Sequence, residues 1–156
     1  MSSNYKSLGI RPVINANATL TKLGGSLMPA EVRQAMQDAA QSFVDIHDLQ
    51  QEVGTRLAEI TRNEAAFVSC GAATGLLLAT AACITKASGA TYEDFPNPPG
   101  TQNEVIVQRM HRNPYDYAVQ QAGASLVEIG TMDGTSLDDL ENAYSASTVA
   151  IFWFQG

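Results

Sequence analysis

Helical periodicity dominates the first sixty residues, apart from a polar segment near the start. Residues 11–26 carry small and polar side chains with a Gly-Gly pair and match neither the helix nor the strand period, so we interpret them as an ordered arm. Apolar residues then recur at three- and four-residue spacing over 32–39, with Pro29 suited to the first helical turn. A second helix is expected from Asp48, where Gln51 would complete a capping box. These two helices precede the sheet.

Beyond residue 64, short apolar segments of strand length alternate with helical segments. Strands are predicted at 65–69, 104–108, 125–129 and 148–154. Helices are predicted over 76–86, from Pro114 to Gly123, and after a cap at Thr135 or Ser136. The order β-α-β-α-β-α-β is typical of a doubly wound, mostly parallel sheet with helices on both faces. The predicted fold class is therefore α/β, with an arm and helices before part of such a sheet.

The end of the sequence affects how much of the sheet it contains. The last predicted strand is followed only by Gln155 and Gly156, whereas so apolar a parallel strand is normally covered on both faces. We therefore expect the sequence to be part of a longer protein whose later residues finish the sheet. The corresponding division is an arm at 1–28, N-terminal helices at 29–62 and an incomplete large domain at 63–156.

Composition and charge narrow the classes of partner. The 156 residues are 45% hydrophobic and 16% charged, which is enough for one globular domain with a core. The net charge is −7 and the basic residues are scattered, so we expect no nucleic-acid partner. The longest apolar stretch, 75–84, is about half of a membrane span, and the start lacks a signal sequence, so we expect a cytoplasmic protein without a membrane partner. The spacing of Cys70, Cys83, His47 and His111 suggests neither a disulfide nor a metal site.

The turn between the first predicted strand and its helix is the strongest local chemical signal. Its side chains are small, so an anion can approach the backbone at the positive end of the helix dipole. Gly71, Ala72 and Ala73 would donate N–H groups to a phosphate, and the Thr74 hydroxyl would add a bond. The turn matches neither a Walker loop nor the dinucleotide fingerprint. Judged on the residues alone, close packing of the strand against the helix is the alternative interpretation.

Three segments taken in order carry a resemblance to a known family. They are RPVINANATLTKLGGS at 11–26, SCGAATGLLLA at 69–79 and QAGASLVEIGT at 121–131. Together they resemble the bacterial selenocysteine-synthase-like family of fold-type-I, pyridoxal-phosphate-dependent enzymes. That family includes L-seryl-tRNA(Sec) selenium transferase and the D-glucosaminate-6-phosphate ammonia-lyase group. The resemblance covers nearly the whole chain and implies the N-terminal portion of such an enzyme, with an aspartate aminotransferase-like large domain.

The resemblance implies that the turn binds the cofactor. Residues 69–74 match the phosphate cup for pyridoxal 5'-phosphate, with Gly71, Ala72, Ala73 and Thr74 as cofactor-binding residues. His111 falls where these enzymes place a ring stacked on the pyridine of the cofactor. A histidine in a loop is otherwise an ordinary surface residue, which is the alternative for His111.

The resemblance also implies substrate-binding residues. Asn15, Thr19 and Thr21, with Gly24, match an arm that lies over the active site, where these side chains would bind a substrate carboxylate or phosphate. The alternative is an arm that only packs. Arg109, or else Arg112, would bind an anionic group.

The 156 residues contain no match for two parts of such an active site, namely the Schiff-base lysine and the carboxylate that faces the pyridine nitrogen. The lysine that forms the Schiff base should follow a later strand, and none of Lys6, Lys22 and Lys86 fits that position. The carboxylate that faces the pyridine nitrogen should also end a further apolar strand. We therefore assign no catalytic residue in this segment, expect the Schiff-base lysine beyond Gly156, and expect the 156 residues alone to be inactive.

The function implied is that of a pyridoxal-phosphate-dependent lyase or transferase acting on a small amino acid or amino-sugar acid. The reaction would be an ammonia-lyase-type β-elimination through a carbanion that the cofactor stabilises. One alternative is L-seryl-tRNA(Sec) selenium transferase, which the net charge of −7 disfavours. A second is a truncated, non-catalytic domain for ligand binding or oligomerisation. Because the polar arm needs a surface to lie on, we expect a homo-oligomer, at least a dimer.

Overall fold

A computed structural model describes residues 5–154. Within the chain one compact unit ends at Leu49 and a second begins at Gln50. The sequence-based expectations for residues 1–4, Gln155 and Gly156 lie outside the described residues. None of the helices over 5–154 is long and apolar enough to cross a membrane.

The first unit contains the arm and the first helices. Two 3-10 helices, Tyr5–Leu8 and Thr21–Leu23, precede α1, Ala30–Ala39. Pro29, predicted to lie in the first helical turn, is instead the N-cap of α1, one position before the first turn. Apart from Gly25, the described residues of this unit are exposed.

Helix α2, Ile46–Thr61, begins two residues before the predicted start at Asp48. The side chain of Asp45 explains the difference, because its Oδ1 accepts the N–H of His47 at 2.8 Å and that of Asp48 at 3.3 Å. Asp45 therefore satisfies N–H groups that would otherwise be unpaired at the start of a helix. The predicted capping box of Asp48 and Gln51 is wrong, because Asp48 lies inside the first turn.

The second unit contains a three-stranded sheet and three further helices. Its elements are α3 Ala72–Ser88, β1 Glu104–Gln108, α4 Asp116–Gln121, β2 Ser125–Ile129, α5 Leu137–Ala143 and β3 Thr148–Phe152. The strands pair in the order β2-β1-β3, and both pairings are parallel. The predicted α/β class with a parallel sheet is confirmed.

Strand β1 forms the centre of this unit because it has neighbours on both edges. Val105, Ile106 and Val107 are all buried. Val105 and Val107 belong to a core cluster with Ile84 of α3 and Val119 of α4. Since side chains alternate along a strand, Ile106 faces the opposite side of the sheet and is buried there. The continuous apolar run of β1 thus reflects burial on both faces.

Two of the predicted strands differ in the structure. Residues 65–69 form no helix and pair with no strand in the part of the chain described, and Phe67 and Val68 are 68% and 47% exposed. The carbonyl of Val68 accepts the Gln50 side-chain amide at 2.8 Å. The predicted strand at 65–69 is therefore wrong for these residues, because an extended segment becomes a strand only beside a partner. Strand β3 ends at Phe152, two residues early, and Ile151 is 49% exposed.

The helix boundaries shift for local reasons. Helix α3 begins at Ala72 rather than at residue 76, so the small-residue turn supplies its first turn. Helix α4 begins at Asp116 rather than at Pro114, because the Asn113 side chain accepts the N–H of Tyr115 at 2.8 Å and forms a turn before the helix. Of the two predicted caps of α5, Thr135 and Ser136, the structure has Ser136, and Asp139 completes a capping box.

Candidate functional site

The start of α3 forms a concentrated set of N–H donors. Gly71 is the N-cap and has φ 141°, a conformation that favours glycine. The first N–H bonded inside the helix is that of Gly75, which donates to the Gly71 carbonyl at 2.9 Å. The N–H groups of residues 72–74 have no acceptor among residues 5–154. No acidic side chain lies in the first turn, so this end of a 17-residue helix favours an anion.

Side chains around this turn hold its shape. Ser69 Oγ donates to the Gly71 carbonyl at 3.0 Å, and Cys70 Sγ donates to Thr74 Oγ1 at 3.3 Å. The Thr74 hydroxyl accepts from Cys70 and therefore keeps its own proton for a ligand. A Cβ built on Gly71 would meet nothing within 4 Å, so there is open space beside the donors. Sequence reasoning missed the bond from Cys70, for which only proximity along the chain gave a signal.

His111 lies directly after β1, in the 3-10 turn Arg109–His111. Its ring is edge-on to Trp153, with the centroids 6.0 Å apart and the planes at 63°. The Nδ1 atom is buried and has no hydrogen-bond partner in the described part of the chain. The Asn113 side-chain amide donates to the His111 carbonyl at 3.0 Å. The turn is thus held through its backbone, and the ring is left without a polar contact at Nδ1.

The two arginines that flank His111 both bind Glu128 of β2. Arg109 Nε lies 3.5 Å from Glu128 Oε1, and Arg112 Nη1 donates to Glu128 Oε2 at 2.6 Å. Arg112 Nε also donates to Asp116, which is buried. The hydrogen bond to Asp116 is the main cause that raises the pKa of Arg112, and the bond to Glu128 adds to it. Arg112 is therefore committed to these carboxylates, while the terminal nitrogens of Arg109 have no partner within residues 5–154.

The predicted substrate-binding residues of the arm belong to the first unit. Asn15 Nδ2 donates to the Ala18 carbonyl at 2.8 Å, and Asn15 Oδ1 accepts the N–H of Asn17 at 2.8 Å. Both ends of this amide therefore hold the bend of the arm. Thr19 and Thr21 are exposed, and no hydrogen bond of either hydroxyl is seen in the described residues. The predicted phosphate cup at residues 69–74, His111 and Arg109 all lie in the second unit.

Comparison with known proteins gives relatives along nearly the whole chain. No family model matches it. The chain is 34% identical over 154 residues to a 5'-C-glycyluridine monooxygenase-decarboxylase from Streptomyces sp, covering 96% of the chain and 39% of that protein. It is 33% identical to a D-glucosaminate-6-phosphate ammonia lyase from Salmonella typhimurium, covering 96% of the chain and 42% of the relative. It is 28% identical to an L-seryl-tRNA(Sec) selenium transferase from Alkaliphilus oremlandii, covering 94% and 32%.

A solved structure agrees with these relatives. The structure of a D-glucosaminate-6-phosphate ammonia-lyase matches 97% of this chain with a TM-score of 0.84 and 32% identity, and the match covers 42% of that structure. The chain therefore spans about two fifths of the length of the first two of these relatives. The predicted resemblance is confirmed: the chain is similar over nearly its whole length to part of a D-glucosaminate-6-phosphate ammonia lyase and of an L-seryl-tRNA(Sec) selenium transferase, and its α/β fold matches part of the solved ammonia-lyase structure.

Proposed function

We propose that the protein is a cytoplasmic, homo-oligomeric, pyridoxal-phosphate-dependent enzyme, and that the start of α3 binds the phosphate of the cofactor. The observation that carries this proposal is the set of unpaired N–H groups at residues 72–74. Three such donors at the positive end of a helix dipole suit a phosphate dianion. The open space at Gly71 and the free proton of Thr74 also fit a phosphate.

The remaining predicted residues would orient the cofactor and the substrate. Pyridoxal phosphate, when bound, supplies an electron sink for a carbanion at the substrate. His111 would place its imidazole against the pyridine ring, since the turn after β1 holds it and its Nδ1 has no competing partner. The free terminal nitrogens of Arg109 would bind an anionic group of the substrate. Thr19 and Thr21 would donate hydroxyl protons to a substrate carboxylate or phosphate.

For the reaction we propose an ammonia-lyase-type β-elimination on a small amino acid or amino-sugar acid. A sequence relative and a solved structure, both named for D-glucosaminate-6-phosphate ammonia lyase, support this choice. A tRNA substrate is the second candidate because one relative is a selenium transferase acting on seryl-tRNA(Sec). The net charge of −7 favours the small-molecule substrate, because an acidic surface repels the phosphates of tRNA.

The phosphate site is tested by placing a negative charge at the start of α3. The Ala72→Asp variant should bind pyridoxal phosphate at least about tenfold more weakly, because a carboxylate would occupy the anion site. The matched control is Ala87→Asp, which adds the same charge near the other end of the same helix. Affinity is measured by absorbance titration of the protein expressed from its own gene, with inorganic phosphate as a competitor. Equal affinities of the two variants, with no competition by phosphate, would contradict the proposed site.

A further inference from the structure

One carboxylate holds both sides of the turn that carries His111. Glu128 binds Arg109 through Oε1 and Arg112 through Oε2, and these arginines flank Met110 and His111 along the chain. The contacts join β2 to the residues that follow β1. Since Glu128 pairs in register with Val107, its side chain starts beside the end of β1, within reach of both guanidinium groups.

The second anchor of this cluster is Asp116. Arg112 donates to it through Nε while Nη1 donates to Glu128, so one planar guanidinium bridges α4 and β2. The side chain of Asp116 is only 9% exposed, which makes this pair less screened by solvent than a surface ion pair. Two arginines and two carboxylates balance in charge. The four side chains, which we call the brace, are therefore neutral overall and link β2, α4 and the turn that carries His111.

The ring of His111 has no comparable anchor of its own. Its Nδ1 is buried without a partner among the described residues, and its ring contact is the edge of Trp153. The position of the imidazole therefore depends on the backbone of the turn and on packing. Whatever fixes the turn therefore also helps to fix the position of the ring.

We propose that Glu128 is a positioning residue for His111, acting through Arg109 and Arg112. The use of the imidazole, to stack on a cofactor ring, rests on the function proposed above. The brace itself does not depend on the cofactor, because all of its contacts lie within the chain. Removing the Glu128 carboxylate should release Arg109, leave Arg112 bound to Asp116 alone, and let the turn move away from Trp153.

The test compares two glutamate variants, Glu128→Ala and Glu141→Ala. Both lose one negative charge, but no ion pair of Glu141 occurs within residues 5–154. The readout is the nuclear Overhauser cross-peak between the His111 and Trp153 rings, in protein expressed from its own gene with labelled histidine and tryptophan. The assignment is checked with Trp153→Phe. In Glu128→Ala we expect the intensity of this cross-peak to fall by about twofold or more, because the His111 ring moves away from Trp153. In Glu141→Ala we expect the intensity to be unchanged.

A second variant covers the case in which Glu128→Ala does not fold. Arg112→Lys keeps the positive charge but lacks the planar fork that reaches two carboxylates together, so it should show a similar loss. A cross-peak at full strength in a folded Glu128→Ala, or in Arg112→Lys if the former is unfolded, would overturn the proposal.

Titration with pyridoxal phosphate separates this proposal from the proposed function. If both hold, Glu128→Ala binds pyridoxal phosphate about tenfold more weakly, as expected when one oriented contact is lost. If the cross-peak falls but no version of the protein binds pyridoxal phosphate, Glu128 still positions His111 and the proposed function is wrong. If binding is normal and the cross-peak is unchanged, the cofactor site stands and the role of Glu128 is refuted.

Discussion

The ring of His111 lies edge-on to that of Trp153, with centroids 6.0 Å apart and an angle of 63° between the planes. The two residues follow β1 and β3, which are neighbouring parallel strands. Parallel strands bring their carboxyl ends to the same edge of a sheet, and ligands of open α/β sheets bind at that edge. The contact therefore places an imidazole and an indole where this fold class carries its chemistry.

Loss of the arm should affect activity more than cofactor binding. Deleting residues 1–26 removes Asn15, Thr19 and Thr21 but leaves the N–H donors at 72–74 intact. We expect a large fall in activity of the protein expressed from its own gene, with affinity for pyridoxal phosphate changed by less than about threefold. Activity and absorbance titration are measured on the same preparation. A truncated protein with normal activity would contradict a role of the arm at the active site.

The same arm carries exposed apolar side chains that point to a subunit contact. Ile14 and Leu27 are 99% and 98% exposed, each next in sequence to another exposed apolar residue, Val13 and Met28, and exposed apolar patches mark interaction surfaces. We expect the protein expressed from its own gene to sediment as a dimer or larger, and the double change Ile14→Ser with Leu27→Ser to weaken assembly. The control is Tyr92→Ser, an exposed aromatic residue of the second unit. A fully active monomer would contradict the oligomer.

The capping box of α5 should contribute stability that depends on pH. The Ser136 N–H donates to Asp139 Oδ2 at 2.8 Å, and this bond, with that of the Ser136 hydroxyl, lowers the pKa of Asp139. A lowered pKa in the folded state means that the ionised carboxylate stabilises the fold above its ordinary pKa, and the benefit is lost as pH falls through the folded-state value. Asp139→Asn should therefore destabilise the protein at pH 7, and this effect should shrink progressively as the pH falls below 3.8, the ordinary pKa of the carboxyl group. Urea unfolding across this range is the measurement, with Asp138→Asn as the control.

Ser136 supplies the other half of this cap. Its Oγ accepts the N–H of Asp139 at 3.1 Å. Ser136→Ala should lower the free energy of unfolding by about 1 kcal/mol, the usual effect of losing an N-cap side chain. Because the hydroxyl does not titrate, most of this loss should persist at pH 7 and at pH 5 alike. Ser136→Thr is the control, since it keeps the accepting oxygen.

Two glycines with similar backbone conformations should respond differently to alanine. Gly123 has φ 82° and Gly100 has φ 84°, so alanine is strained at both. At Gly123 the new Cβ would lie 2.3 Å from the Pro96 carbonyl oxygen, whereas at Gly100 it would meet nothing within 4 Å. Gly100→Ala should cost about 1 kcal/mol, and Gly123→Ala about 1–3 kcal/mol more. Equal unfolding midpoints for the two variants would contradict this prediction, since they would show that the loop around Pro96 moves to make room for the new Cβ without loss of stability.

Much of the α/β core could be predicted from local pattern. The bounds of β1 and β2 follow from short apolar runs, and a cap of α5 at Thr135 or Ser136 follows from the residue types at its start. Each of these features depends on neighbours in sequence, so periodicity and capping rules are sufficient. The resemblance to selenocysteine-synthase-like enzymes was likewise carried by short segments, and the comparisons confirm it. The roles of the predicted site residues stay predictions.

The features decided by tertiary structure all depend on residues far apart in the chain. Residues 65–69 have the composition of a strand, but an extended segment needs a neighbour in space, and the described chain places none beside them. The contact of His111 with Trp153 and the brace of Glu128 depend on the order and register of three parallel strands. Local sequence determined which segments are able to form strands and helices. Only the pairing of those strands brought the His111 imidazole, the Trp153 indole and the Glu128 carboxylate to one edge of the sheet, because register is a property of two segments together.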